Sequence, residues 1–210
     1  MSLRIISDIH GRYDTYLDLT KGTSHTLQLG DLGYDYNKIS RLDPLKHKFF
    51  GGNHDCYDVY HNIPYSLGDY GKVRLNGMKF FFIRGAFSID WQIRTVFDLA
   101  EGKKSWWANE QLNYQDMSSA LKEYKRTKPS IMFTHSCPRV IAKLIGRDDP
   151  LIGYGYNPET FSTNTQELLQ ECFEYHQPDF WTFGHFHKNW TQSVNGTKFT
   201  CLEAEGYIDL

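Results

Sequence analysis

Short apolar runs recur along the chain, and each is followed at once by polar residues that can bind metal ions. The runs occupy residues 3–6, 26–29, 48–50, 131–133 and 180–183. Short apolar runs of this kind are typical of buried strands, and the carboxyl ends of parallel strands meet at one edge of a sheet. The pattern therefore predicts an α/β protein whose polar side chains gather in a crevice at that edge.

Helical stretches separate the first three runs, at about residues 13–21 and 36–46. Alternation of strand and helix predicts a parallel sheet. Further along, Asn76-Gly77 and Asn195-Gly196 each separate two strand-like runs, a strong signal for a hairpin. Antiparallel strands are thus expected to extend the parallel sheet. These hairpin strands are predicted at residues 72–75, 78–83, 190–194 and 198–202.

The remaining segments carry weaker patterns. An aromatic-rich insert at about 87–124, with a helix-like stretch ending near Arg126, is predicted to cap the crevice. A capping box from Thr163 to Gln166 predicts a helix reaching about His176. Residues 147–162 are rich in Gly, Pro, Asp and Tyr, which is typical of a long ordered loop.

The composition fits one globular domain over residues 1–210, with 40% hydrophobic and 23% charged residues. The formal net charge of −2 argues against long nucleic acid or an anionic membrane as partner. No signal-like leader is apparent, and no apolar run approaches the roughly 20 residues that span a bilayer. The four cysteines lack zinc-site spacing and are expected to be thiols. We therefore predict a soluble, cytoplasmic protein.

The polar clusters after the strand-like runs contain the donors that hard dications prefer, carboxylate oxygens and neutral imidazoles. A lone Asp-x-His or His-x-His is more often a solvated turn, but a set of five after strand-like runs predicts one metal site. In an extended segment alternate residues face the same side, so two ligands can converge from each of the outer clusters. The clusters are Asp8-Ile9-His10, Gly30-Asp31, Gly52-Asn53-His54-Asp55, Thr134-His135 and Gly184-His185-Phe186-His187.

In order and spacing, these five clusters resemble the motifs of the calcineurin-like metallophosphoesterases, and they span nearly the whole chain. The resemblance implies a four-layer α/β/β/α sandwich of two mixed sheets, with a dinuclear metal site at the carboxyl ends of the strands. It also implies two ions, Mn²⁺ with Fe, Zn or Mg as alternatives. A hydroxide activated by the metals would attack phosphorus in line.

The resemblance also assigns roles to individual residues. Asp31 would bridge the two ions. His54 would protonate the leaving oxygen, its ring oriented by Asp55 or Asp35. The other ligands divide between the ions, with Asp8, His10 and His187 on the first and Asn53, His135 and His185 on the second.

Residues outside these clusters are candidates for binding substrate. Arg12 follows the first cluster directly, and the insert contributes Arg94 and Trp107. Each has an ordinary alternative: Trp107 as packing, and Arg94, like Arg84, as an ion-pair partner that holds the insert. The stretch 84–90, with Arg94 and 105–110, resembles a signature of bacterial and phage members of the family.

The substrate predicted on these grounds is a phosphomonoester or phosphodiester of a small molecule or nucleotide. Tyr34 stands where protein Ser/Thr phosphatases of this superfamily carry a second Asp, and no Arg follows Asp35, so a protein phosphatase is disfavoured. A nuclease or a cyclic nucleotide phosphodiesterase is the alternative. A non-catalytic scaffold of the same fold is less favoured because every expected ligand is kept.

Overall fold

Two mixed sheets lie at the centre of the computed structural model, which describes residues 2–146 and 148–210. The smaller sheet has the order β10-β1-β2-β3, in which β1, β2 and β3 are parallel and β10 is antiparallel. Its strands are β1 (Leu3–Ile6), β2 (His25–Gln28), β3 (His47–Phe49) and β10 (Tyr207–Asp209).

The larger sheet has the order β4-β5-β6-β7-β9-β8, with a parallel centre and an antiparallel strand at each edge. Both Asn-Gly hairpins are confirmed, since they join β4 to β5 and β8 to β9. The strands are β4 (Tyr70–Leu75), β5 (Met78–Ile83), β6 (Ile131–Thr134), β7 (Phe180–Phe183), β8 (Trp190–Val194) and β9 (Thr197–Cys201).

Most of the helices cover the outer faces of the two sheets. They are α1 (Tyr13–Leu19), α2 (Trp91–Glu101), α3 (Tyr114–Thr127), α4 (Arg139–Ile145), α5 (Asp148–Gly153) and α6 (Asn164–Tyr175). The Thr163 side chain accepts the Gln166 N–H, which confirms the predicted start of α6. No helix in the described parts of the chain is long and apolar enough to cross a membrane.

Three apolar clusters hold these layers together, and they follow from the alternation of side chains along each strand. One lies between the sheets, where Leu27 and Phe50 meet Phe82 and Phe133. The second packs Tyr16 of α1 on the outer face of the smaller sheet. The third packs α3, α4 and α6 on the outer face of the larger sheet. The predicted four-layer α/β/β/α arrangement is therefore confirmed.

Two local predictions were wrong. The helix expected at 36–46 is only a 3₁₀ turn, Tyr36–Ile39. Pro44 disfavours helical backbone at the residue before it, which limits continuation. The loop expected at 147–162 contains α5, in which Pro150 falls in the first turn, where its missing N–H is not needed. Arg147, the start of that predicted loop, lies outside the described residues.

The predicted insert divides into two parts. α3 belongs to the outer layer, because its buried Ala120 and Tyr124 pack against the larger sheet and α6. The preceding residues, 87–113, approach the carboxyl ends of the strands. Gly85 makes this approach possible: it has a φ of +93°, and a Cβ there would collide with the Glu110 carbonyl oxygen.

Candidate metal centre

The seven predicted ligands lie together where the two sheets meet. Each follows the carboxyl end of a strand: Asp8 and His10 follow β1, and Asp31 follows β2. The others come from the loops after β3, β6 and β7, so both sheets contribute. The loop after β3 supplies Asn53, the one after β6 supplies His135, and the one after β7 supplies His185 and His187.

The first donor cluster consists of Asp8, His10, Asp31 and His187, with one donor atom from each within 4.8 Å of the others. His10 Nε2 lies 2.9 Å from His187 Nε2. His187 Nε2 is also 3.2 Å from Asp8 Oδ1. Four oxygen and nitrogen donors thus face one small space, which suits a cation better than a proton shared between two neutral rings.

The second donor cluster shares Asp31 with the first. Asn53 Oδ1 lies 2.9 Å from His185 Nδ1 and 3.2 Å from His135 Nε2. Asp31 Oδ1 is 3.3 Å from His135 Nε2, while its other oxygen, Oδ2, is 3.7 Å from His10 Nε2. One carboxylate therefore faces both clusters, as a ligand shared by two metal ions does.

The backbone at this site is unusual. Non-glycine residues rarely adopt a positive φ, a strain of order 1–3 kcal/mol each that persists only where the surroundings impose it. The loops brace one another, since the His10 N–H donates to the Asp31 carbonyl at 2.7 Å and the His185 N–H to the Asp8 carboxylate. Five of the seven predicted ligands have positive φ: Asp8, His10, Asp31, His185 and His187.

Burial and charge also fit a metal. Asp8 and His135 are fully buried, and Asp31 is 1% exposed. Burial favours the neutral form of Asp31, but His135 and His54 outweigh it and lower the pKa of Asp31 well below its usual range. Burial would likewise lower the pKa of His135, yet Asp31 raises it to about 9. The buried carboxylate thus attracts positive charge, which a dication on the same donors would supply.

The carboxylates proposed to orient His54 have other partners. Asp55 is buried and accepts the backbone N–H groups of Asp31, Leu32, Gly33 and Gly52, so that it joins the loops after β2 and β3. Burial and the nearby Asp31 raise the pKa of Asp55 to about 6. Asp35 accepts the Asn37 N–H at the start of the 3₁₀ turn.

Tyr34 is the neighbour of the His54 ring, with its hydroxyl 3.4 Å from Nδ1. That hydroxyl donates to the Ser105 carbonyl at 3.1 Å and accepts from Arg94 at 2.9 Å. A hydroxyl has one proton, so in this contact His54 Nδ1 is the donor. Burial lowers the pKa of His54, and Asp31 opposes this.

Ser88 and Glu110 support the metal donors, and sequence reasoning gave neither this role. Glu110 accepts both the backbone N–H and the hydroxyl of Ser88, at 2.7 and 2.6 Å. The Ser88 oxygen in turn accepts from Asn53 Nδ2 at 3.2 Å and from Arg94 at 2.9 Å. Because the Asn53 amide nitrogen is engaged there, its oxygen faces His135 and His185. The sequence feature that could have pointed to Ser88 is the family-like signature at 84–90, which contains it.

Ser88→Ala is expected to weaken metal binding by about 10- to 100-fold, the usual loss when a partner of a metal ligand is removed. The alanine would leave the Asn53 amide free to rotate and Glu110 short of a donor. Mn²⁺ titration by calorimetry measures the effect. Thr95→Ala is the matched control, since the Thr95 hydroxyl donates only to the Trp91 carbonyl within α2. Equal affinity in wild type and Ser88→Ala would contradict this role.

Five of the seven predicted ligands line an open depression, the central pocket. It is lined by His10, Asp31, Asn53, His54, Phe87, Ile89, Asp90, Pro150, Tyr154, His185 and His187.

None of the three predicted substrate contacts, Arg12, Arg94 and Trp107, lines the central pocket. Arg12 pairs with Glu205 at 2.9 Å, beside the site. Arg94 is nearly buried beneath the pocket, where it donates to Ser88 and Tyr34 as described above. Trp107 is 5% exposed and packs in the cluster around Tyr16 and Tyr60, which favours its packing alternative. Arg84, also buried, pairs with Asp69 and donates to the Asn109 carbonyl at 2.9 Å, and the second contact holds the insert.

Comparison with known proteins agrees with this geometry. The model of the calcineurin-like phosphoesterase family matches residues 1–189. The chain belongs to the calcineurin-like phosphoesterase family. The family and the cluster of Asp and His residues here together indicate divalent metal binding. No curated protein matches the chain.

The chain is similar to solved structures at low sequence identity. A proposed 5′-nucleotidase from Staphylococcus aureus, crystallised with α-ketoglutarate, has a TM-score of 0.54 and 12% identity over 100% of this chain and 50% of that chain. The present chain thus spans half the length of that protein. A phosphopantetheinyl hydrolase from Mycobacterium tuberculosis has a TM-score of 0.46 and 11% identity, over 96% of this chain and 89% of that chain.

Proposed function

We propose that the protein is a metal-dependent phosphoesterase that hydrolyses a phosphomonoester or phosphodiester of a small molecule or nucleotide. The observation that carries the proposal is the pair of donor clusters that share Asp31 and border an open pocket. Dinuclear sites of this form occur in enzymes that cleave phosphate esters by in-line displacement.

Two ions fit the donors present. Asp8, His10 and His187 would hold the first, Asn53, His135 and His185 the second, and Asp31 both. When bound, such ions supply a nucleophile from water and neutralise charge on the phosphoryl oxygens. Mn²⁺ is the ion we propose, with Fe, Zn or Mg as alternatives, since the carboxylate and amide oxygens suit Mn²⁺ and Mg²⁺ and the imidazoles suit Fe and Zn.

His54 would act on the substrate from the side of the pocket. Its ring lies 5.1 Å from that of His10, centroid to centroid, so it borders the first donor cluster. With Nδ1–H directed at Tyr34, the opposite ring nitrogen carries a proton only in the doubly protonated ring, and that form would give its proton to the departing ester oxygen. Asp55 would act at a distance, since its carboxylate holds together the loops that carry Asp31 and His54.

The compartment we propose is the cytoplasm. Cys56, Cys137 and Cys172 are thiols in the structure, and burial raises the pKa of Cys172 well above its usual range. Cysteines that remain thiols are typical of proteins in reducing compartments, where disulfides are rare.

The function is tested on chelator-treated protein with a panel of phosphomonoesters and phosphodiesters, with and without Mn²⁺. Hydrolysis should depend on added metal, and crystals grown with Mn²⁺ should show two ions within about 4 Å, bridged by Asp31. Anomalous scattering at the manganese edge identifies them. A single ion, or ions that do not contact His135 and His185, would contradict the dinuclear proposal, and hydrolysis unaffected by chelation would contradict metal dependence.

A further inference from the structure

Helix α2, in the insert, turns polar residues toward the protein and apolar residues toward solvent. Of its 11 residues, all of which the structure describes, only Arg94 is buried. Ile93, Val96 and Phe97 are 49%, 66% and 61% exposed. A surface helix usually packs through an apolar face. Burial of apolar surface thus does not hold α2 in place, and its inner face makes polar contacts instead.

Two residues of that inner face fix the surroundings of the Tyr34 hydroxyl. Arg94 donates to this hydroxyl directly, at 2.9 Å. Asp98 accepts the backbone N–H and the hydroxyl of Ser105, at 2.7 and 2.8 Å. The Ser105 carbonyl in turn accepts from the Tyr34 hydroxyl at 3.1 Å. Residues four apart share a face of a helix, so one face of α2 supplies the donor to this hydroxyl and, through Ser105, its acceptor.

The ring and the backbone of Tyr34 are held as well. The ring lies 5.4 Å from that of Trp107, centroid to centroid, and Trp107 is itself buried. The backbone N–H of the next residue, Asp35, donates to the Tyr13 hydroxyl at 2.7 Å. The Tyr34 hydroxyl is therefore held in one place before any substrate binds, as a group that orients a reacting side chain must be.

The contacts of Tyr34 decide which nitrogen of His54 carries a proton in the neutral ring. An arginine can only donate and a carbonyl can only accept, so the hydroxyl proton goes to Ser105 and a lone pair is left for His54. Burial raises the pKa of Tyr34 to about 12 although Arg94 opposes this, so the hydroxyl keeps its proton. His54 Nδ1, 3.4 Å away, is then the protonated nitrogen, and Nε2 carries the lone pair.

We infer that Tyr34, held by α2, is the positioning residue for His54, the role that the sequence assigned to Asp55 or Asp35. The inference rests on the proposed function, in which the doubly protonated His54 gives its Nε2 proton to the leaving oxygen. The bond from Nε2 to that proton breaks with its electron pair staying on nitrogen, and a bond from the leaving oxygen to the proton forms. The ring is left protonated at Nδ1, the form whose N–H Tyr34 accepts, so the ring does not have to rotate. A proton released by the attacking water restores Nε2 through solvent.

Tyr34→Phe is the first test, because it removes the hydroxyl and keeps the ring beside Trp107. Single-turnover rates on the Mn²⁺-loaded protein compare ethyl phosphate with 4-nitrophenyl phosphate, or diethyl phosphate with ethyl 4-nitrophenyl phosphate if only diesters are cleaved. The rate on the alkyl ester should fall by about 10-fold or more, a share of the roughly 10²–10⁴-fold that a general acid contributes. The 4-nitrophenyl ester, whose leaving group needs no proton, should change much less. Metal content should stay the same.

Asp98→Ala tests whether α2 acts through Tyr34. Asp98 belongs to neither donor cluster, and its loss would free Ser105, which accepts the proton of the Tyr34 hydroxyl. The same selective loss on the alkyl ester is expected, smaller than in Tyr34→Phe because Arg94 remains. Phe97→Ala is the matched control: it lies on the outer face of the same helix, 61% exposed, and both rates should be unchanged.

The position of the His54 ring can also be measured without substrate. In isotope-labelled protein loaded with Zn²⁺, which is diamagnetic, spectra that correlate ring nitrogens with ring protons show which nitrogen of a neutral histidine is protonated. The His54 signals are assigned by their absence in His54→Ala. The neutral ring should be protonated at Nδ1 in the wild-type protein, and it should be a mixture of the two forms in Tyr34→Phe.

A neutral His54 ring protonated at Nε2 in the wild-type protein, or equal losses on both esters in Tyr34→Phe, would overturn this inference and leave the proposed function standing. Wild-type rates on both esters in Asp98→Ala would overturn the part assigned to α2. Failure to hydrolyse any ester with any metal would instead remove the proposed function, and the ring spectra would still show whether Tyr34 positions His54.

Discussion

Asp31→Asn is expected to empty the metal site and reduce hydrolysis by more than about 100-fold. Loss of a residue that only supports a metal ligand can already cost about 100-fold, and Asp31 is itself a proposed ligand. The asparagine keeps the shape of the side chain and can still accept the His54 N–H, which donates to Asp31 Oδ1 at 2.7 Å. It loses the negative charge, and its amide nitrogen, in the place of Oδ2 beside His10, has no lone pair for the first ion. The protein should therefore still fold, but residue 31 can no longer bind both metal ions.

Metal content measured by mass spectrometry after gel filtration checks this prediction, together with the rate on a 4-nitrophenyl diester. Asp35→Asn is the matched control: Asp35 is exposed and caps the turn at Asn37, a role that asparagine also fills. Two bound ions with wild-type affinity in Asp31→Asn would refute the bridging role.

His54→Ala should keep both metal ions and lower the rate by about 10²–10⁴-fold, the usual contribution of a general acid or base. His54 belongs to neither donor cluster, since its ring is turned to Tyr34. The loss should be largest for alkyl esters, whose leaving oxygen needs a proton, and smaller for 4-nitrophenyl esters, whose leaving group departs as a stable anion.

Single-turnover rates on an alkyl ester and a 4-nitrophenyl ester separate the two cases, with metal content measured in parallel. His61→Ala is a suitable control, because His61 is part-exposed and contacts Asp69 at 2.9 Å, away from the donors. Near-normal turnover of the alkyl ester by His54→Ala would show that another group supplies the proton.

The sequence did not reveal which residue contacts the His54 ring: Asp55 or Asp35 was expected, but the neighbour is Tyr34. A family motif identifies which residue types follow each strand, but not which of them meet. Tyr34 stands where a second Asp is expected, and the structure places its hydroxyl next to His54. Asp55, adjacent to His54 in the chain, turns the other way because four backbone N–H groups of two loops need an acceptor.

The chain by itself determined the features that depend on near neighbours. Apolar runs fixed the five strands that end at the site, and Asn-Gly pairs fixed both hairpins, because a two-residue turn needs positive φ at adjacent positions. Donor residues could be named because they directly follow those strands. The helix expected at 36–46 and the loop expected at 147–162 failed for a related reason, since short polar segments carry little periodicity.

Only the tertiary structure decided which distant groups meet. β10 pairs with β1 across almost the full length of the chain, and its three residues carry no signal of their own. Ser88 reaches Asn53, and Phe161 reaches Phe87, through contacts between segments far apart in sequence. Such contacts depend on how the layers pack, and packing is a property of the whole core and not of any local pattern.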